Sequence, residues 1–325
     1  MHRPKFASTG LALCVVSLLL FPGGLSVAAV HHYVFFNRDR ERISDAAFLE
    51  TKALEGAQLK YVWRELEPRK DEYAFGDIEH DLAFLHSKGK KLFIQLQDVS
   101  FDADIRPFPR YLLDDPAYHG GADPQVGEAN VPCGWVARRW DPAVQERFHR
   151  LLLALGKEFD GRVDGINLPE TAIDLASTER LWPKGFTPEI YCDAVLTNLA
   201  VLKRAFPRSV TIQYANFMPG DRRYLERVFR GARELKVGLG GPDNLPYQPY
   251  QMENSYLLIR RCAGRVPTGI AVQDGNYEHR NPKTGRPVTI ADLVDFASGY
   301  LKVDYVFWCT QEPYYSGQLL PFLRH

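Results

Sequence analysis

Short apolar segments that alternate with helical segments are the feature of this sequence that most restricts its fold. Apolar, β-branched and aromatic runs of this length are typical of parallel strands that are buried on both faces. We predict eight such strands, at 32–37, 58–63, 92–97, the beginning of 163–172, 210–216, 237–241, 268–273 and 303–308. Because a helical pattern separates each strand from the next, the sequence predicts an α/β protein folded as a (β/α)8 TIM barrel. An open doubly wound sheet is the alternative, but no glycine-rich dinucleotide fingerprint follows the first strand.

The first 29 residues have the composition of a secretory signal peptide. The basic residues His2, Arg3 and Lys5 precede an apolar run at 11–21 that is too short to span a bilayer comfortably, and small residues follow at 26–29. We therefore expect a signal peptide at 1–29, a single barrel domain at 30–325, and a secreted or periplasmic protein. An uncleaved membrane anchor is the alternative for this segment.

Four cysteines follow the predicted signal peptide: Cys133, Cys192, Cys262 and Cys309. No two of them have the spacing of metal ligands. An exported protein can oxidise its cysteines, and Cys133 and Cys309, both in predicted rim loops, are the candidate disulfide. The alternative is four free thiols, because Cys192 and Cys262 fall in apolar helical patterns.

The charge balance restricts the class of partner. The chain has 40 Lys and Arg against 40 Asp and Glu, so we expect neither a nucleic-acid partner nor a stable membrane partner.

The sequence contains no His cluster, no Ser-His-Asp arrangement at the predicted strand ends and no phosphate-binding glycine loop. We therefore expect neither a cofactor nor a metal ion.

A long segment from residue 98 to about residue 140 has little periodicity and several Pro, Gly and aromatic residues. Loops of this length in compact domains are usually functional or disordered. Its aromatic content favours an ordered loop at the rim of the barrel.

Amides, carboxylates and aromatic residues follow nearly every predicted strand. In a TIM barrel the active site forms at the carboxyl ends of the strands. Amides and carboxylates bind hydroxyl groups, and aromatic rings stack on the apolar faces of sugars, so the sequence predicts a saccharide ligand. The candidate substrate-binding residues are Trp63, Arg64, Gln97, Asn167, Tyr214, Asn216, Gln273 and Trp308.

The residues WRELEP at 63–68, followed by EYAF at 72–75, resemble the W-x-x-L-E-P-x-x-G-x-Y-x-F signature of clan A glycoside hydrolases, notably β-galactosidase-like barrels. Asp71 stands where that pattern often has Gly. The resemblance implies the same barrel fold and a carboxylate pair that cleaves glycosidic bonds. In that family the acid/base Glu follows strand four, so the resemblance implies this role for Glu170. The family usually has Asn directly before that Glu, whereas here Asn167 lies three residues before Glu170.

The position of the second carboxylate departs from the family. The family nucleophile is a Glu at the end of strand seven, where this chain has Gln273 and Asp274. We expect Glu170 to act as general acid/base with Asp274 or Glu312 as its partner, in an exported hydrolase of oligo- or polysaccharides. The alternative is a non-catalytic saccharide-binding barrel that has lost the strand-seven nucleophile.

Overall fold

The computed structural model describes residues 30–127 and 131–324, so the predicted signal peptide lies outside the described residues. Eight parallel strands form a closed barrel, which is completed where the last strand pairs with the first. The predicted (β/α)8 TIM barrel is confirmed. With all strands numbered in chain order, the barrel strands are β1 (His31–Asn37), β2 (Leu54–Val62), β3 (Lys91–Gln97), β7 (Gly165–Leu168), β8 (Val210–Tyr214), β9 (Gly238–Gly241), β10 (Thr268–Val272) and β11 (Tyr305–Cys309).

Aromatic side chains fill the barrel near the amino ends of its strands. The Phe93 ring lies 5.0 Å from the Phe307 ring and 6.0 Å from the Tyr33 ring, centroid to centroid. Gly165 on β7 leaves room for this cluster, because a Cβ there would clash with the Phe93 ring. The filled interior leaves space for a ligand only towards the carboxyl ends of the strands.

Helices pack around the barrel and connect its strands. The two longest have clear start signals: Asp141 accepts from the backbone N–H groups of Ala143 and Val144 at the start of α5 (Pro142–Phe159), and Pro occupies the first helical position there and in α6 (Pro188–Ala205). In the part of the chain that the structure describes, no helix is both long enough and apolar enough to cross a bilayer. The helices are α1 (Ala46–Glu50), α2 (Trp63–Leu66), α3 (Gly76–Ser87), α4 (Tyr111–Asp114), α5 (Pro142–Phe159), α6 (Pro188–Ala205), α7 (Arg222–Glu234), α8 (Pro249–Glu253), α9 (Ser255–Cys262), α10 (Ile290–Asp295) and α11 (Leu320–Arg324).

The second strand begins earlier than the sequence predicts. The pattern predicts a helix through Leu54 that Gly56 ends, whereas α1 stops at Glu50 and both residues belong to β2. Gly56 is needed there for close strand packing, because a Cβ would clash with the backbone carbonyl of Lys91 on β3. A glycine that permits close approach and one that ends a helix look alike in sequence.

The described part of the segment after β3 is not an irregular loop. It forms a three-stranded antiparallel sheet of β4 (Val99–Ser100), β5 (Ala122–Val126) and β6 (Pro132–Ala137), with β6 in the middle. The buried side chain of Gln125 donates to the carbonyl of Ser100 at 2.6 Å and accepts from the N–H of Asp174 at 2.8 Å. The first bond joins two strands of the sheet, and the second fixes the sheet to the loop that follows β7.

The candidate disulfide between Cys133 and Cys309 was wrong. All four cysteines after residue 29 are free thiols. Cys133 lies in β6 and Cys309 ends the barrel strand β11, so neither occupies a rim loop. Cys192 and Cys262 are buried in α6 and α9, as their apolar helical patterns indicated.

Candidate active site

A cavity of about 330 Å³ opens at the carboxyl ends of the barrel strands. Its walls come from β1, β2, β3 and β8 and from the segments that follow β1, β3, β7, β9 and β10. This is the end of the barrel at which TIM-barrel enzymes bind their substrates. The lining residues are Phe35, Asn37, Arg38, Lys60, Gln95, Gln97, Val99, Ser100, Phe101, Asp102, Ile105, Glu170, Tyr214, Pro242 and Gln273.

Glu170 presents its carboxyl group to this cavity two residues after the end of β7. Asn216 donates from Nδ2 to Glu170 Oε2 at 2.5 Å and so fixes the orientation of the carboxyl group. Burial raises the pKa of Glu170 to about 7, and the negative charge of Asp243 acts in the same direction. The Asn216 hydrogen bond and the positive charge of Arg139 oppose this rise in the pKa. A carboxyl group with a pKa near 7 can both donate and accept a proton at neutral pH.

A buried ion pair holds the backbone of Glu170. Arg139 donates from Nη2 to Asp98 Oδ1 at 2.5 Å and from Nε to Asp98 Oδ2 at 2.8 Å. Its remaining terminal nitrogen, Nη1, donates to the carbonyl oxygen of Glu170 and to the hydroxyl of Tyr191, each at 3.0 Å. Sequence reasoning missed Arg139, because it lies in the long segment that has no periodic pattern.

Lys60 is a second charged residue of the cavity that sequence reasoning missed. It is paired in register with Gln95 on the neighbouring strand, so both side chains face the cavity. Its Nζ lies 5.5 Å from the centroid of the Phe35 ring. Burial lowers the pKa of Lys60 to about 8; the charge of Arg38 adds to this effect and that of Glu170 opposes it. The alternation of side chains along the predicted strand 58–63 is the signal that could have identified it.

Together with Asp174, Asp243 is a carboxylate whose charge raises the pKa of Glu170. It follows β9, is half-buried, and accepts a hydrogen bond from Asn276 Nδ2 at 3.1 Å. Burial raises the pKa of Asp243, and the Asn276 hydrogen bond partly opposes this rise. The charge of Asp243 thus acts on Glu170 from the end of a different strand.

Four predicted binding residues lie in or next to the cavity. Gln97, Tyr214 and Gln273 line it, and Asn216 holds the carboxyl group of Glu170. The hydroxyl of Tyr214 accepts from Gln58 Nε2 at 3.1 Å, deep in the barrel.

The other predicted binding residues lie outside the cavity lining. Asn167 is buried in the barrel, where it accepts from the side-chain amide of Gln58 at 2.8 Å. Trp63 and Trp308 are both fully buried, and Trp308 donates to His32 Nδ1 at 3.0 Å. The side chain of Arg64 is exposed on α2.

The two predicted partners of Glu170 are also outside the cavity lining. Asp274 is exposed after β10, where its charge acts on the thiol of Cys309. Glu312 is exposed after β11 and accepts a hydrogen bond from the hydroxyl of Ser316 at 2.6 Å.

The WRELEP segment has a structural role. Trp63 donates to Glu67 Oε2 at 2.8 Å, and the buried carboxylate of Glu67 pairs with the buried guanidinium of Arg147. Asp71 binds the same guanidinium at 2.8 Å. Its φ of 64° explains why the resembling pattern often has Gly there, since this left-handed region favours glycine and tolerates Asp.

Several solved structures share this fold, among them glycoside hydrolases and a protein that carries a glycoside hydrolase family name. A GH10 endoxylanase retrieved from a sugarcane soil metagenome has a TM-score of 0.50 and 10% identity, and the match covers 86% of each chain. A GH5_18 protein from Streptomyces cattleya in complex with GlcNAc has a TM-score of 0.53 and 11% identity, over 86% of this chain and 70% of that one. A β-galactosidase from the Antarctic haloarchaeon Halorubrum lacusprofundi has a TM-score of 0.55 and 12% identity, over 86% of this chain and 52% of that one.

The sequence matches no protein-family model and no curated protein. Similarity at such low identity concerns the fold alone. The chain thus shares the TIM-barrel fold with these proteins.

Proposed function

We propose that this protein is a glycoside hydrolase that cleaves an oligo- or polysaccharide with Glu170 as general acid/base. The observation that carries the proposal is a carboxyl group in the cavity at the strand ends whose pKa burial raises to about 7. Cleavage of a glycosidic bond needs a carboxylic acid that is protonated near neutral pH and donates its proton to the leaving oxygen. The hydrogen bond from Asn216 and the hold of Arg139 on the backbone would keep this carboxyl group in place.

The proposal assigns the second carboxylate to Asp243. Asp243 directly follows Pro242 of the cavity lining, is half-buried, and its charge acts on Glu170, whereas Asp274 and Glu312 are exposed and have no such effect on Glu170. In a retaining reaction Asp243 would attack the anomeric carbon, and in an inverting reaction it would deprotonate the attacking water. The anomer that is released first, identified by proton NMR, distinguishes these two roles.

The remaining cavity residues suit a sugar. The amides of Gln97 and Gln273 can bind hydroxyl groups, and Phe101, which is 50% exposed, offers an aromatic face at the cavity. The solved structures of the same fold include a xylanase and a β-galactosidase, which supports a saccharide substrate.

A hydrolysis screen tests the proposal. Purified protein is incubated with xylans, mannans, galactans, uronate-containing polysaccharides and their oligosaccharides, and the released sugars are separated by chromatography. Glu170→Gln and Asp243→Asn should each reduce the rate by roughly 100- to 10,000-fold, whereas Asp274→Asn and Glu312→Gln should retain it. Full activity of Glu170→Gln removes the proposal, and loss of activity in Asp274→Asn or Glu312→Gln alone reassigns the second carboxylate.

A non-catalytic saccharide-binding barrel is the second candidate. It is favoured by Gln273, which lines the cavity just after β10, where the resembling family has its nucleophile Glu. Binding of a glycan without turnover, unchanged in Asp243→Asn, would support this candidate over the hydrolase.

The proposal includes export, which rests on the composition of residues 1–29. Expression of the full chain in a bacterial host and mass spectrometry of the mature amino terminus test it. A chain that is retained in the cytoplasm with residue 1 or 2 at its terminus would contradict export.

A further inference from the structure

Two cations, Lys60 and Arg38, line the same cavity as Glu170. Lys60 projects from β2, and Arg38 follows the end of β1, the neighbouring strand. The two charges are close enough for Arg38 to lower the pKa of Lys60. One side of the cavity is therefore positively charged.

Neither cation is neutralised by an ion pair within the described residues. Lys60 and Arg38 form no salt bridge and donate no side-chain hydrogen bond there, whereas Arg139 and Arg147 each bind a carboxylate. Lys60 contacts the ring of Phe35, with Nζ 5.5 Å from the centroid. Burial disfavours its charged form, so an ammonium group in this place gains most from an anion that enters with a ligand.

Among the carboxylates at the cavity, Glu170 is the one whose charge acts on the pKa of Lys60. Asp102 is exposed, and its Oδ1 accepts from the N–H of Asp104 at 2.9 Å. Glu170 carries only part of a negative charge near neutral pH, because its pKa is about 7. As the proposed general acid it must be protonated when substrate is bound, so Asp102 and the proposed second carboxylate Asp243 then carry the negative charge, and neither of them acts on the pKa of Lys60.

We propose that the saccharide bound in this cavity carries a carboxylate, as a uronic acid does, and that Lys60 and Arg38 bind that group. The inference rests on the proposed saccharide-cleaving function and narrows its substrate class. Lys60 would donate a charge-assisted hydrogen bond to the carboxylate, and Arg38 would approach it from the outer end of β1. Neutral polysaccharides would lack the group that both cations require.

The decisive experiment compares acidic saccharides with neutral copies of themselves. Oligosaccharides of glucuronic, galacturonic and mannuronic acid are used as they are and after chemical reduction of each carboxylate to an alcohol. Reduction preserves the ring and the linkage and removes only the charge. Binding is measured by isothermal titration calorimetry with the Glu170→Gln protein, at about pH 6.5, where Lys60 with its pKa of about 8 is charged.

We expect at least one acidic oligosaccharide to bind about tenfold or more tightly than its reduced copy, as the loss of a charge-assisted hydrogen bond requires. Lys60→Met in the same background should bring the two affinities within roughly twofold of each other. Lys88→Met is the matched control, because Lys88 lies 5.7 Å over the Phe84 ring but is exposed at the end of α3, away from the cavity. Lys60→Gln provides a second, polar variant, and circular dichroism establishes that each variant is folded.

The outcomes separate this inference from the proposed function. Equal binding of acidic and reduced oligosaccharides overturns the inference and leaves the saccharide site intact. A preference for the acidic forms that survives Lys60→Met and Lys60→Gln also overturns the assignment to Lys60. Binding of neither kind overturns the saccharide site and the inference with it.

Discussion

Replacement of Glu170 by Gln should stabilise the folded protein at alkaline pH and should do so less at acidic pH. Burial raises the pKa of this carboxyl group from 4.5 to about 7. Between these two pH values the folded protein holds a proton that the unfolded chain has released, so the free energy of unfolding of the wild type falls as the pH rises. Gln has no proton to lose, and its carbonyl oxygen can still accept the hydrogen bond from Asn216.

The size of the effect follows from the shift in pKa. One pKa unit corresponds to about 1.4 kcal/mol, so the shift from 4.5 to about 7 corresponds to about 3 kcal/mol. The difference in the free energy of unfolding between Glu170→Gln and the wild type should therefore increase by about 3 kcal/mol from pH 4 to pH 8. The pH dependence that other groups contribute to both proteins largely cancels in this difference.

Urea denaturation monitored by circular dichroism, at several values between about pH 4 and about pH 8, measures the effect. Glu65→Gln is the matched control, because Glu65 is exposed on α2. The difference in the free energy of unfolding between Glu65→Gln and the wild type should not change with pH. A difference for Glu170→Gln that changes by less than about 1 kcal/mol over this range would refute the reasoning, since the carboxyl group would then ionise as freely in the folded protein as in the unfolded chain.

Three further substitutions test the packing and the charges around the site, each by urea denaturation. Lys60→Met should stabilise the protein at about pH 6.5 by up to about 3 kcal/mol, because burial lowers the pKa of Lys60 from 10.5 to about 8; this gain should shrink above pH 8 and be absent from Lys88→Met. Arg139→Met should destabilise by about 3–5 kcal/mol because it leaves the buried carboxylate that it pairs with unpaired, and a loss below about 1 kcal/mol would contradict that role. Gly156→Ala should destabilise by about 1–3 kcal/mol because its Cβ would clash with the backbone of α6, whereas Gly76→Ala, with open space around it, should not.

The order of strands and helices could be predicted from the sequence because its signals are local. Apolar strand runs, a cap such as Asp141 and a proline such as Pro142 each act within a few residues of themselves. The fold then places residues that follow the barrel strands at one end of the barrel, which is why Glu170, Gln97 and Gln273 could be chosen in advance as candidates and lie at one cavity. Where one local signal had two meanings, as at Gly56, the prediction failed.

Which of the strand-end residues act together was decided by the tertiary structure alone. Asp243 acts on Glu170 from the end of another strand, while Asp274 and Glu312, equally plausible by sequence position, are exposed. Lys60 reaches the cavity because β2 pairs in a particular register with β3 within the closed barrel. Charges interact through space over a few ångströms, and the distance between two residues that are far apart in sequence depends on barrel closure, strand register and side-chain direction. The pattern of apolar residues in the sequence therefore determined the barrel, and its three-dimensional closure determined which charges meet inside it.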